Sequence, residues 1–194
     1  MNQKNLLEVD WSNIPEPTDD GAAAHLPGMT IPTVTLVATN DTSVTLSELK
    51  GRTVVFAYPR TGEPGKIALV DDWDMIPGAR GCTPQTCAFR DLFAELRSAG
   101  AKSVFGLSTQ SNAYQTEMAS RLHLPFPVLS DENLTLTRAL NLPTMEAAGL
   151  TLIKRLALIV DDGRIRHVFY PVFPPDRNAG DVLAWLKENP AQSS

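Results

Sequence analysis

Apolar and polar or β-branched residues alternate along "TIPTVTLVATN" (30–40), a period of two that predicts a strand, and "TSVTLSELKG" (42–51) ends in a short turn at Gly51. The first run that reads as buried on both faces is "TVVFAYP" (53–59), rich in valine and aromatic residues and stopped by Pro59. The pattern then lapses across "RTGEPGKIALVDDWDMIPGARG" (60–81), which is dominated by glycine, proline and aspartate. A loop of this length inside a compact domain is uncommon and usually functional. Beyond it the period becomes helical. Thr83 reads as an N-cap with Pro84 in the first helical position, and Phe89, Leu92, Phe93 and Leu96 form one apolar stripe.

The remainder alternates between the two periods. "KSVFGLST" (102–109) and "FPVLSD" (126–131) read as strands, and "NAYQTEMASRLH" (112–123), "ENLTLTRALNL" (132–142) and "AGDVLAWLKEN" (179–189) as helices. "RLALIVDDGRIRHVFYPV" (155–172) reads as two strands joined by an Asp-Asp-Gly hairpin turn. Strands alternating with helices predict an α/β fold, a central sheet with helices on both faces, and the terminal hairpin makes that sheet mixed. Residues 28–190 form one domain in this reading, with an N-terminal arm over 1–27 and a short tail over 191–194.

Composition narrows the possibilities. The chain has 194 residues, 43% of them hydrophobic, enough for one real core. Its formal charge of −5 argues against a nucleic-acid partner or an anionic membrane surface held by bulk electrostatics. No apolar run approaches the roughly 20 residues of a membrane span. "MNQKNLLEVDWSNIPEP" carries early acids and no long apolar stretch, so it does not read as a secretory leader, and the default expectation is a cytoplasmic protein.

Both cysteines lie in "RGCTPQTCAFRD" (80–91). Thiolate is the reactive form of cysteine, and the unpaired N–H groups and dipole of a helix N-terminus favour negative charge. Cys82, at the helix entry, is therefore the better nucleophile, and Cys87 lies deeper in the helix, where the dipole helps less. Five residues of α-helix put the two Cα atoms roughly 8–9 Å apart, beyond the about 7 Å that a disulfide tolerates. Bridging them requires the first turn or two of the helix to unwind, unlike a Cys-x-x-Cys shuttle. Two small core hydrophobes are the alternative. A metal site is not expected, because His25, His123 and His167 are scattered and no further cysteine is available.

With these residues in view, the chain resembles the peroxiredoxins, specifically the Q or bacterioferritin-comigratory type. "GCTPQTCAFRD" resembles that group's peroxidatic cysteine with a resolving cysteine five positions on, and "GRTVVFAYPR", "SVFGLSTQS…LPFPVLSD" and "KRLALIVDDGRIRHVF" resemble its flanking segments. The resemblance implies a thioredoxin-like fold. It implies a thiol-dependent peroxidase without a cofactor, in which Cys82 is oxidised by hydrogen peroxide or an organic hydroperoxide. Cys87 would then form an intramolecular disulfide with it, and a thioredoxin or glutaredoxin-type donor would reduce that bridge. Arg155 matches the arginine that holds the thiolate. Since the bridge lies within one chain, a monomer or weak dimer is expected. The family threonine three positions before the cysteine is replaced by Ala79, and the segment from Pro59 to Cys82 carries a long insertion. Thr61 or Thr83 is the candidate to supply the missing hydroxyl. Without it, the alternative is a redox sensor that turns over little peroxide.

Overall fold

Strands of this chain pair into a seven-stranded sheet in a computed structural model, which describes residues 9–191. Residues 1–8 of the predicted arm and 192–194 of the predicted tail lie outside the described residues. In chain order the strands are β1 (Thr35–Ala38), β2 (Ser43–Thr45), β3 (Arg52–Ala57), β4 (Ser103–Ser108), β5 (Val128–Ser130), β6 (Thr144–Ala147), β7 (Leu150–Ile153), β8 (Leu156–Asp161) and β9 (Arg164–Phe169). The helices are α1 (Cys82–Asp91), α2 (Phe93–Ser98), α3 (Asn112–Arg121), α4 (Thr135–Leu140) and α5 (Asn178–Glu188). The sheet order is β2-β1-β5-β4-β3-β8-β9, with β3, β4 and β5 parallel and the outer pairs antiparallel.

The central strands are hydrophobic on both faces because both faces are covered. Along β3, Val54 and Phe56 enter one core, while Val55 and Ala57 enter the other. The first core is completed by Phe89 of α1, Leu96 of α2, Met118 of α3 and Val182 of α5. The second is completed by Leu136 and Leu140 of α4 and by Leu26 and Ile31, which the chain delivers before β1. Phe89 stacks flat on Phe56 with ring centroids 4.1 Å apart, seating α1 on the middle of the sheet.

Three details depart from the sequence reading. The predicted helix after residue 83 is two helices, broken at Leu92. "TSVTLSELKG" contributes the short edge strand β2 besides its turn. The hairpin β6–β7 has no counterpart in the sequence pattern. Its turn residues Ala148 and Gly149 both have positive φ, 48° and 73°, and alanine does not announce such a turn as the Asp162–Gly163 pair between β8 and β9 does.

Candidate active site

Helix α1 starts one residue before the predicted cap. Gly81 is the cap residue, at φ 103°, and its carbonyl accepts the Gln85 N–H at 3.0 Å. That φ suits glycine, and a methyl group there would also stand 2.6 Å from Trp11 and from Pro175. Thr83 does not cap, and Cys82 is the first helical residue. Pro84 falls in the first turn, where a missing N–H costs no intrahelical bond.

Cys82 is 3% exposed and Arg155, at the entry to β8, is 2% exposed. Arg155 Nη2 donates to Cys82 Sγ at 3.2 Å. The same nitrogen faces three backbone carbonyls, of Gly78 (3.1 Å), Ala79 (3.3 Å) and Arg80 (3.1 Å). Nη1 donates to Gln85 Oε1, and Gln85 Nε2 donates in turn to Asn178 Oδ1 at 2.9 Å. These neutral dipoles engage Nη1 and Nη2 without neutralising the guanidinium, while its Nε is buried without a hydrogen-bond partner among the described residues, so its charge is available to the sulfur. The Cys82 Sγ–H direction is taken up by the Ala79 carbonyl at 3.5 Å. Ala79 therefore contributes its backbone to the site, although it has no hydroxyl.

Cys87 is also buried, and both cysteines are free thiols. Burial pushes the Cys87 thiol above its ordinary value, with the nearby Arg90 working against that rise. Both residues belong to one continuous helix, so the helical separation of roughly 8–9 Å between their Cα atoms applies. Behind Cys82, Tyr58 is fully buried and donates to Gln115 Oε1 at 2.9 Å. Burial raises the Tyr58 phenol well above its ordinary value, and Cys82 adds to the rise.

A cavity of about 1050 Å³ opens in front of Cys82, walled by residues 60–69 together with Trp73, Arg80, Thr83, Pro84 and Tyr114. Thr61 and Thr83 both stand in this wall. The Thr61 hydroxyl is already committed, donating to Gln110 Oε1 at 3.1 Å, while the Tyr114 hydroxyl donates to the Thr61 carbonyl at 3.1 Å. The insertion is held by its own apolar residues. Trp73, with Leu69, Val70 and Ile76, packs on Ala147, Leu152 and Met145 of the β6–β7 hairpin. The hairpin that the sequence reading missed is thus the platform for the loop that it singled out. Among the described residues, no group of three or more His, Cys, Asp or Glu is gathered to hold a metal.

Gln85, Asn178 and the carbonyls of 78–80 also escaped the sequence reading. Gln85 alone left a signal, as a polar residue about one turn after Cys82, although the buried Thr83 and Thr86 make it less distinct. Asn178 opens α5, remote in sequence, and backbone carbonyls leave no trace in residue identity.

The Redoxin family model matches residues 26–183. Over 162 residues the chain is 32% identical to a chloroplastic peroxiredoxin Q of Oryza sativa subsp. japonica, covering 82% of this chain and 66% of the relative. It is also 32% identical to the chloroplastic peroxiredoxin Q of Sedum lineare, covering 82% and 77%. The chain thus spans slightly less than two thirds of the rice relative's length. Among solved structures, peroxidoxin BcpB from Mycobacterium tuberculosis superposes with a TM-score of 0.67 at 27% identity, covering 86% of this chain and 98% of the other. Peroxiredoxin Q from Xanthomonas campestris shares the fold with a TM-score of 0.64 at 24% identity, covering 80% and 90%. The fold is thioredoxin-like, as the resemblance implied. The cytoplasmic expectation is overturned, because these curated relatives are chloroplastic proteins. It rested on the lack of a secretory pattern, which is no positive signal for the cytosol.

Proposed function

Because the chain belongs to the redoxin family, and within it to the peroxiredoxin Q group, we propose that it is a thiol-dependent peroxidase with Cys82 as its nucleophile. The observation that carries this reading is the contact between the Arg155 guanidinium and Cys82 Sγ at 3.2 Å, inside a ring of carbonyls that fixes the arginine. The sulfur attacks one peroxide oxygen, the O–O bond breaks, and the departing oxygen leaves as alcohol or water after taking a proton. Cys82 is then a sulfenic acid. Guanidinium N–H groups stabilise negative charge on the sulfur and on the leaving oxygen alike. Cys87 next displaces the sulfenic oxygen as water and forms the Cys82–Cys87 disulfide, once α1 has opened. An external dithiol of the thioredoxin or glutaredoxin type returns both thiols by supplying two electrons and two protons. The bridge needs no second subunit, which favours a monomer or weak dimer.

Replacing Cys87 with serine is expected to leave one turnover per chain and a lasting sulfenic acid, read by a sulfenate-trapping reagent and mass. Sustained turnover in that variant contradicts the resolving role. The buried position of Cys87 also sets a pH dependence. Its folded value is raised, so the neutral thiol stabilises the wound helix below the ordinary cysteine value of about 8.5. That contribution is lost as pH rises through the raised folded value. Conversion of sulfenate to disulfide is therefore expected to accelerate as pH climbs past the ordinary range, in a stopped-flow series from neutral to alkaline pH. A flat profile contradicts it.

Cavity size bears on the substrate. Hydrogen peroxide occupies roughly two water volumes, about 60 Å³, far less than the about 1050 Å³ in front of Cys82. Ile67, 90% exposed, and Leu69 line that space, which favours bulky organic hydroperoxides. Ile67→Glu is expected to raise KM for cumene hydroperoxide by about tenfold relative to that for hydrogen peroxide, since a charge replaces apolar contact. An equal change for both substrates contradicts this use of the cavity. The loss of a hydroxyl at Ala79, with Thr61 bonded to Gln110, favours a second reading as a redox sensor. Peroxide consumption sustained by a dithiol donor separates the two, because a sensor turns over little peroxide even with the donor present.

A further inference from the structure

The described part of the N-terminal arm lies against the start of α1. Asp10 caps a short turn (Trp11–Asn13), its Oδ1 accepting the Ser12 N–H at 3.1 Å. Trp11 Nε1 donates to Asp176 Oδ2 at 3.0 Å, and its ring meets Phe173 edge-on with centroids 6.1 Å apart. The far edge of the indole closes on Gly81, where a methyl group would stand 2.6 Å from Trp11 Cη2. Farther on, Pro17 Cβ lies 3.7 Å from where a Cβ on Gly78 would stand, and the Gly78 carbonyl accepts from Arg155. The arm is fastened again at Asp20, which accepts from Lys154 Nζ at 2.6 Å and from the Tyr170 hydroxyl at 2.7 Å. The arm thus meets the segment leading into Cys82 at Gly78 and Gly81 and is fastened beyond it at Lys154 and Tyr170.

We propose that Trp11 is a positioning residue that holds Gly81 and the first turn of α1 in the wound state, and that its release gates formation of the Cys82–Cys87 disulfide. The inference rests on the peroxidase reading. While the turn stays wound, the Cys82 sulfenic acid remains beside Arg155 and away from Cys87. It then has two fates. Unwinding lets the Cys87 sulfur attack it, forming the S–S bond and releasing water. A second hydroperoxide arriving first transfers an oxygen to the sulfenate, leaving sulfinic acid and either water, from hydrogen peroxide, or an alcohol, from an organic hydroperoxide. A tight hold on Gly81 favours the second fate, and a loose hold favours the first. Trp11 sets that ratio without touching either sulfur.

The test follows the full-length reduced protein by stopped flow and intact mass over a range of hydrogen peroxide concentrations. Trp11→Ala is expected to speed disulfide formation on the order of tenfold and to raise, by a similar factor, the peroxide needed to make half the chains sulfinic. Trp11→Phe keeps a ring over Gly81 and is expected to restore both quantities to within about twofold of the starting protein. Asp176→Asn, which leaves the ring and weakens only the charge-assisted bond, is expected to move both in the same direction by a smaller factor. It decides the matter should Trp11→Ala fail to fold. An unchanged ratio of disulfide to sulfinic acid in folded Trp11→Ala, even with a lowered melting temperature, overturns the proposal, as does an unchanged ratio in Asp176→Asn. Failure of Cys82 to oxidise in the unsubstituted protein is a different result, and it sinks the peroxidase reading instead.

Discussion

Cys82→Ser is expected to abolish peroxide consumption with any dithiol donor, while the protein keeps its fold. Serine fits the space, and the two polar groups bonded to Sγ, the Arg155 guanidinium and the Ala79 carbonyl, can both bond a hydroxyl. What disappears is the nucleophile. A hydroxyl is almost wholly protonated at neutral pH, and oxygen cannot take up and hand on a peroxide oxygen as sulfur does. Removing the nucleophile of a covalent mechanism costs on the order of 10⁶ in turnover where it has been measured. The check is coupled consumption of hydrogen peroxide beside a near-native melting temperature. Multiple turnover by this variant contradicts the assignment, and activity lost together with Cys87→Ser but not with Cys82→Ser reverses the roles.

Arg155→Met carries the second large effect. Methionine approximates the apolar stem and deletes the charge and its directed N–H groups, so the peroxide step is expected to slow by about 10²–10³, the cost of removing one preorganised donor from a reacting centre. The substitution also leaves Gln85 Oε1 and the carbonyls of 78–80 without a donor that they now share. Unpaired buried acceptors cost about 1–3 kcal/mol each, so the melting temperature falls as well. The two effects separate when the rate of Cys82 oxidation is expressed per folded chain at a temperature well below the melting transition. Arg155→Lys retains charge without the planar fork and is expected to recover only part of the rate. An oxidation rate within about twofold of the starting protein in Arg155→Met, below the 2.7 kcal/mol end of such donor losses, removes Arg155 from the chemistry.

Much of the sheet was readable because its strands are buried in two ways that leave different marks. The runs at 54–58 and 156–160 are apolar on both faces, and Asp162–Gly163 has turn chemistry that favours a hairpin. The β6–β7 hairpin left no such mark. Its alternation is short, and the apolar side of Leu152 and Ala147 is covered by Trp73 and its neighbours from the insertion, a long-range contact invisible to any local window. The site divides likewise. Two cysteines at helical spacing beside a glycine and an early proline announce reactive sulfur. Arg155 was identified through resemblance, since nothing local separates it from Arg164 or Arg166. The start of α1 was misplaced because Thr83 offered a good cap chemically, while the backbone at Gly81, at φ 103° and closed over by Trp11 and Pro175, decided it sterically. The carbonyl ring and Asn178 depend on tertiary position alone.

The central claim is that Cys82 reacts first, held by Arg155, and that Cys87 answers only after the helix between them opens. Time-resolved intact mass with peptide mapping, after one equivalent of hydrogen peroxide, tests it most directly. The account predicts a chain heavier by one oxygen carried on Cys82, followed by a species lighter than the reduced chain by two hydrogens, in which Cys82 and Cys87 are joined. Oxygen appearing first on Cys87, or a bridge formed between separate chains, contradicts it.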